Sequence, residues 1–219
     1  MKSEKFTIDD SLAQGWVLFG EKFWSFFGIL TLAGFLQVLP VLANFGFKLV
    51  GGGFQIMLLL GLLGSLLGLT LTLGLINVQL RLLDGKEINS DNLWEPLCKI
   101  WAFLGASFLF VWMVAVGLVL FVVPGIILFL MFQFYPYFLV EHRLGPIQSL
   151  KASAAVTEGC LWELFFVGLL LTIFEVIGLL FLLIGSVPAN VFKRLTITHV
   201  YRELVRNTDP ESLPFTARI

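Results

Sequence analysis

The chain has 219 residues, of which 58% are hydrophobic and 13% charged, with a net charge of −1 and a mean hydropathy of +0.94. Soluble domains are about 25% charged, so this composition excludes a water-soluble globule and leaves a polytopic membrane protein. A near-neutral chain without a basic run also lacks the positive field that nucleic-acid phosphates require, so no nucleic-acid partner is expected.

The first five residues mix acids with bases, and the first long apolar run starts only at Phe23. A cleaved signal peptide, with a short apolar core directly after basic residues, is therefore not expected. Ile8, Leu12, Trp16, Phe19 and Phe23 recur at three- and four-residue steps. They predict an amphipathic helix over 8–22 lying at the membrane interface.

A crossing needs about 20 helical residues. The first predicted span is 23–44, ending near Pro40 and Asn44. The triplet Gly51-Gly52-Gly53 resists helix, so the second span is 54–80. On it Gly61, Gly64 and Gly68 form a narrow face on which a neighbouring helix can approach closely. No charge occurs between Lys99 and Glu141, and as one helix that stretch would measure about 61 Å, twice the hydrocarbon thickness. It has to reverse, and Pro124 with Gly125 is the breaker. Two spans result, 100–122 and 126–140, the second with a kink at Pro136 and with Tyr135 and Tyr137 as interfacial anchors. Ile147, Leu150, Ala154, Thr157 and Leu161 predict a second interfacial helix. A fifth span follows at 161–184, then a turn through Pro188, a sixth segment at 189–204 and a polar tail, 205–219. The sum is an all-α bundle of six spans forming one integral membrane domain, or five spans if the last segment, which carries Lys193 and Arg194, does not cross.

With six spans, eleven Lys and Arg residues fall on one face and only Lys48 on the other. Positive residues in short loops stay cytoplasmic, so both termini are expected there. The segments ending at Pro40, Pro124 and Pro188 are each preceded by a polar stretch with a tryptophan, Trp16, Trp101 and Trp162. This suggests three parallel transmembrane hairpins, each led in by an interfacial helix.

Val123-Pro124-Gly125-Ile126-Ile127, Phe134-Tyr135-Pro136, Glu141, Leu150-Lys151, Ser153, Thr157 and Gly159 form a pattern, and Tyr201-Arg202-Glu203-Leu204 closes the last helix. In these residues the chain resembles the multi-pass membrane domain of membrane-anchored glycerophosphodiester phosphodiesterases and related uncharacterised bacterial inner-membrane proteins. The resemblance implies a bacterial inner-membrane protein of about six spans. It brings no activity with it, because the phosphodiesterase chemistry belongs to a separate soluble domain.

Glu175 lies about eleven residues before the turn near Ser186, and Lys193 and Arg194 lie seven and eight residues after it, so a helical hairpin sets them at similar depths. An ionised side chain at mid-membrane costs about 2.5–3.5 kcal/mol on insertion scales, so the three are candidates for an ion-pair cluster. Cys98 and Cys160 read as reduced thiols, and His142 and His199 lack neighbours at metal-ligand spacing. Neither a catalytic constellation nor a cofactor motif is expected. The leading expectation is a structural, accessory or lipid-associated module, with membrane lipid, a protein partner or a second copy as partners. A small transporter or channel built on the Glu175 cluster is the rival. A lipid-headgroup enzyme would require His142 and carboxylates to converge in a cleft.

Overall fold

The computed structural model describes residues 8–49, 53–86, 99–180 and 186–208, and among them every regular element is a helix. In chain order these are α1 (Ile8–Leu49), α2 (Phe54–Leu83), α3 (Ile100–Leu120), α4 (Val122–Phe132), α5 (Tyr135–Glu141), α6 (Pro146–Thr157), α7 (Leu161–Leu180) and α8 (Ser186–Arg206). Four stretches are long and apolar enough to cross a membrane: Leu58–Leu83, Ile100–Leu120, Val122–Glu141 and Leu161–Gly178. Cys98 and the polar stretch ahead of α3 lie outside the described residues, as do the turn residue Gly185 and most of the polar tail.

The expected boundary between an interfacial helix and a first span is absent. Helix α1 is one rod of 42 residues, about 63 Å at 1.5 Å per residue. Residues 21–23 change the polarity of the chain without supplying a breaker. Nor does Pro40 end the helix. It removes one backbone donor, and its ring lies over Gly64 of α2, where a Cβ would come within 2.7 Å of the Pro40 Cβ. At its start α1 packs on α8 through Ser11 and Gly15, both buried, and Phe19. Trp16, expected at the centre of the apolar face, is exposed although it touches Phe192.

The reversal after α3 comes at Phe121, alone in an extended conformation (φ −159°, ψ 145°). Pro124 is the third residue of α4, a first-turn position that needs no intrahelical donor. Gly125 is a packing residue: a Cβ there would lie 2.5 Å from Leu118, and one on Gly117 would lie 3.0 Å from the Gly125 Cα. Facing glycines let α3 and α4 separate by a single residue. Pro188 likewise sits third in α8 and not in the turn before it.

The kink expected at Pro136 is a break between α4 and α5, one turn earlier, because the proline ring excludes the bond to the Phe132 carbonyl. Helix α6 closes this break. Ser153 Oγ accepts from the Phe134 N–H at 3.2 Å and donates to the Met131 carbonyl at 2.9 Å, and Thr157 Oγ1 reaches the same carbonyl at 3.1 Å. One side of helix α6 is covered by protein: Ser149, Leu150, Ala152, Ser153, Val156 and Thr157 are all buried, while Ile147 and Lys151 are exposed. Tyr135 and Tyr137 are core residues, 7% and 8% exposed, and not interfacial anchors. Their hydroxyls meet Ser107 at 2.8 Å and Thr198 at 3.4 Å.

The core lies toward one end of the helices. It comprises the second half of α2 from Leu73, the start of α3, the end of α4, α5, α6, one face of α7 through Leu164, Val167 and Leu171, and the inner face of α8. Large apolar side chains along the first half of α2, the rest of α3, the start of α4 and much of α7 are exposed. Helix α8 is the most polar of the long helices, yet it is central and packs on α1, α2, α6 and α7.

Candidate functional site

At the core end of the bundle, the end of α2, the residue before α3, the end of α5 and the last turns of α8 surround a cavity of about 220 Å³. Local backbone chemistry sets each charge on its rim. Helix α2 closes in a Schellman turn: Gly85 takes φ +65°, its N–H bonds the Leu82 carbonyl at 3.3 Å, and the Lys86 N–H bonds the Arg81 carbonyl at 2.9 Å. This satisfies the last carbonyls of the helix and puts Asp84 and Lys86 at the opening. Helix α5 ends on Glu141 and is capped by His142, after which Arg143 occupies the left-handed region at φ +54°.

Glu141 organises the site. One carboxylate oxygen accepts from the Tyr201 hydroxyl at 2.7 Å and the other from the Arg202 guanidinium. Arg202 also donates to Asp84 at 2.9 Å, so one side chain joins α8 to α5 and α2. Lys86 approaches the same Asp84 oxygen at 3.3 Å. Lys99 donates to the Leu139 and Val140 carbonyls at 3.3 and 3.2 Å, where the negative end of α5 favours a cation. Five basic side chains, Arg81, Lys86, Lys99, Arg143 and Arg202, thus line the cavity against two carboxylates.

His142 stacks on Phe138 and lies 3.7 Å from Glu141. Burial holds its pKa below the ordinary imidazole value; Glu141 opposes this shift and Arg202 adds to it, so the ring is neutral at pH 7. The residue does not line the cavity.

The structure brings two of the three intramembrane candidates together. Lys193 Nζ is 2.7 Å from one Glu175 oxygen, and Asn190 Nδ2 donates to the other at 3.0 Å. Arg194 is not part of this contact; its Nε is buried with no hydrogen-bond partner among the described residues. On α8 the Lys193 contact lies nine residues before Arg202, about 13 Å along the axis. Of the candidate packing glycines, Gly64 meets Pro40 at close range, a Cβ on Gly68 would meet no atom of another element within 4 Å, and Gly61 is exposed.

The described residues define an all-helical protein with helices long and apolar enough to cross a membrane and with a cavity at one end lined by seven charged residues. No known family, curated protein or solved structure matches it.

The charged cavity residues are individually ordinary in the sequence, each at or near the end of a helical segment. The signal that joins them is positional, since successive helices that cross a bundle bring alternate loops to the same end. Glu141, Tyr201 and Arg202, far apart in the sequence, meet there.

Proposed function

We propose that the protein is a multi-pass membrane protein of the bacterial inner membrane that serves as a non-catalytic, lipid-associated structural module. In this reading it makes about six crossings arranged as three transmembrane hairpins, with both termini cytoplasmic. The observation that carries it is the segregation of surface. Exposed apolar side chains cover the helices away from the core end, whereas seven charged residues, Arg81, Asp84, Lys86, Lys99, Glu141, Arg143 and Arg202, line the cavity at the core end. Apolar helix surface of this kind is matched by lipid tails, and basic groups at a membrane face attract anionic headgroups by about 1 kcal/mol each.

Equivalent positions in the last two helix pairs support the hairpin plan. Trp101 and Trp162 are each the second residue of the outgoing helix, and both are exposed, 81% and 73%, as tryptophans at a membrane interface are. Pro124 and Pro188 are each the third residue of the returning helix. The Glu175 contact, with both oxygens engaged, supports a clamp holding α7 in register on α8 better than an ion path. The bacterial inner membrane rests on the resemblance described above. Native mass spectrometry of protein extracted in mild detergent tests the reading: phospholipid retained at defined stoichiometry is expected, and a lipid-free protein that stays folded contradicts it.

A further inference from the structure

We propose that the turn joining α3 to α4 is embedded in the acyl chains of the leaflet farther from the charged cavity, so that this hairpin reaches across the bilayer without emerging into water. Three features point to it. The first is composition. Between Ser107 and Gln133 the Trp112 indole is the only side-chain hydrogen-bond donor, whereas the sequence around Gly53, at the start of α2, carries Lys48 and Gln55. The second is length. Trp101, exposed and two residues after Lys99, suits the near interface, and from there to Phe121 the helix rises about 30 Å. The hydrocarbon is itself about 30 Å thick, and a typical tilt of about 20° shortens the reach to about 28 Å. The turn therefore stops inside the hydrocarbon.

The third is how the turn treats its backbone and its surface. In hydrocarbon every N–H and C=O needs an internal partner, and Phe121, the one residue between the helices, has both of its groups engaged. Its N–H donates to the Gly117 carbonyl at 2.9 Å, and its carbonyl accepts from the Gly125 N–H at 3.3 Å. Pro124 has no N–H to satisfy, so two of the four donors that a helix start leaves open are accounted for. Water would serve the same groups in an aqueous loop. Val119 is 88% exposed, and Leu120, Phe121, Val122 and Val123 are all more than half exposed. Successive helical residues point about 100° apart, so the apolar surface runs all the way round the turn. A protein partner covers one side of such a tip; fluid acyl chains cover every side.

The proposal rests on the membrane reading above, and the two fail separately. In a chain carrying Cys98→Ser and Cys160→Ala, reconstituted in phospholipid vesicles, a nitroxide is attached in turn to Val119→Cys, Leu63→Cys and Gly53→Cys, all at exposed positions where a label displaces no core contact. Each label is read by its collision rates with oxygen, which concentrates in hydrocarbon, and with a water-soluble nickel chelate, which stays outside. At Val119 oxygen collisions should exceed chelate collisions several-fold, as they should at Leu63, about 15 Å along α2 from Gly53. Gly53 should show the reverse. Chelate excess at Val119 with oxygen excess at Leu63 overturns the proposal and spares the membrane reading. Chelate excess at Leu63 overturns both. Low rates of both collisions at Val119 would mean that protein covers the turn, and would also overturn its assignment to lipid.

Discussion

Replacing Glu141 with alanine is expected to destabilise the protein by about 3 kcal/mol, the low end of the cost of breaking a buried ion pair. Tyr201 is fully buried, and without its acceptor the hydroxyl is left unsatisfied. Arg202 loses one of two carboxylates but keeps Asp84. The side chains of Glu141 and Arg202 are 21% and 29% exposed, so solvent screens part of the pair and the full buried cost does not apply. Glu141→Gln keeps an acceptor for Tyr201 and removes only the charge, and should lose about half as much. Denaturant titration in mixed micelles gives both values. Equal losses for the two variants would mean that the charge, and not the Tyr201 bond, holds the three helices together.

The Ser153 and Thr157 hydroxyls should show strong coupling. Ser153→Ala strands the Phe134 N–H and removes one donor from the Met131 carbonyl, a loss of about 2 kcal/mol. Thr157→Val alone should cost about 1 kcal/mol or less, because Ser153 still serves that carbonyl. With both replaced, the break made by Pro136 has no side chain to close it. The double variant should therefore exceed the sum of the singles by about 1 kcal/mol, as groups sharing one partner do. Simple additivity in a double-mutant cycle would show that α6 merely covers the break.

Helix positions were readable where apolar length decided them. The starts of α2, α3 and α7 fall where the charge and glycine pattern puts them. Turn positions were less readable, because proline marks the neighbourhood of a turn and not its apex. Pro124 and Pro188 are tolerated in the first turn of the following helix, which moves each boundary upstream, and Pro40 is absorbed inside α1 by the space that Gly64 leaves. The amphipathic stretches 8–22 and 147–161 each turn one side toward protein, while Trp16 and Ile147 remain exposed. Their small residues, Ser11 and Gly15 in one and Ser153 and Thr157 in the other, face protein. Periodicity identifies a face without saying whether lipid or another helix covers it. For the site, Glu175 and Lys193 stood out because a charge within an apolar run is conspicuous. The charged cavity did not, since its charges come from four separate stretches and only the bundle brings them to one end.

The central claim is that the helices cross a membrane with the charged cavity on the cytoplasmic face. It is tested most directly by single cysteines placed at the two ends of α2 in a chain carrying Cys98→Ser and Cys160→Ala. In sealed vesicles of known sidedness, an impermeant maleimide should modify the Lys86→Cys variant only from the cytoplasmic side and the Gly53→Cys variant only from the opposite side. Modification of both from one side would contradict the account, because α2 would then not cross.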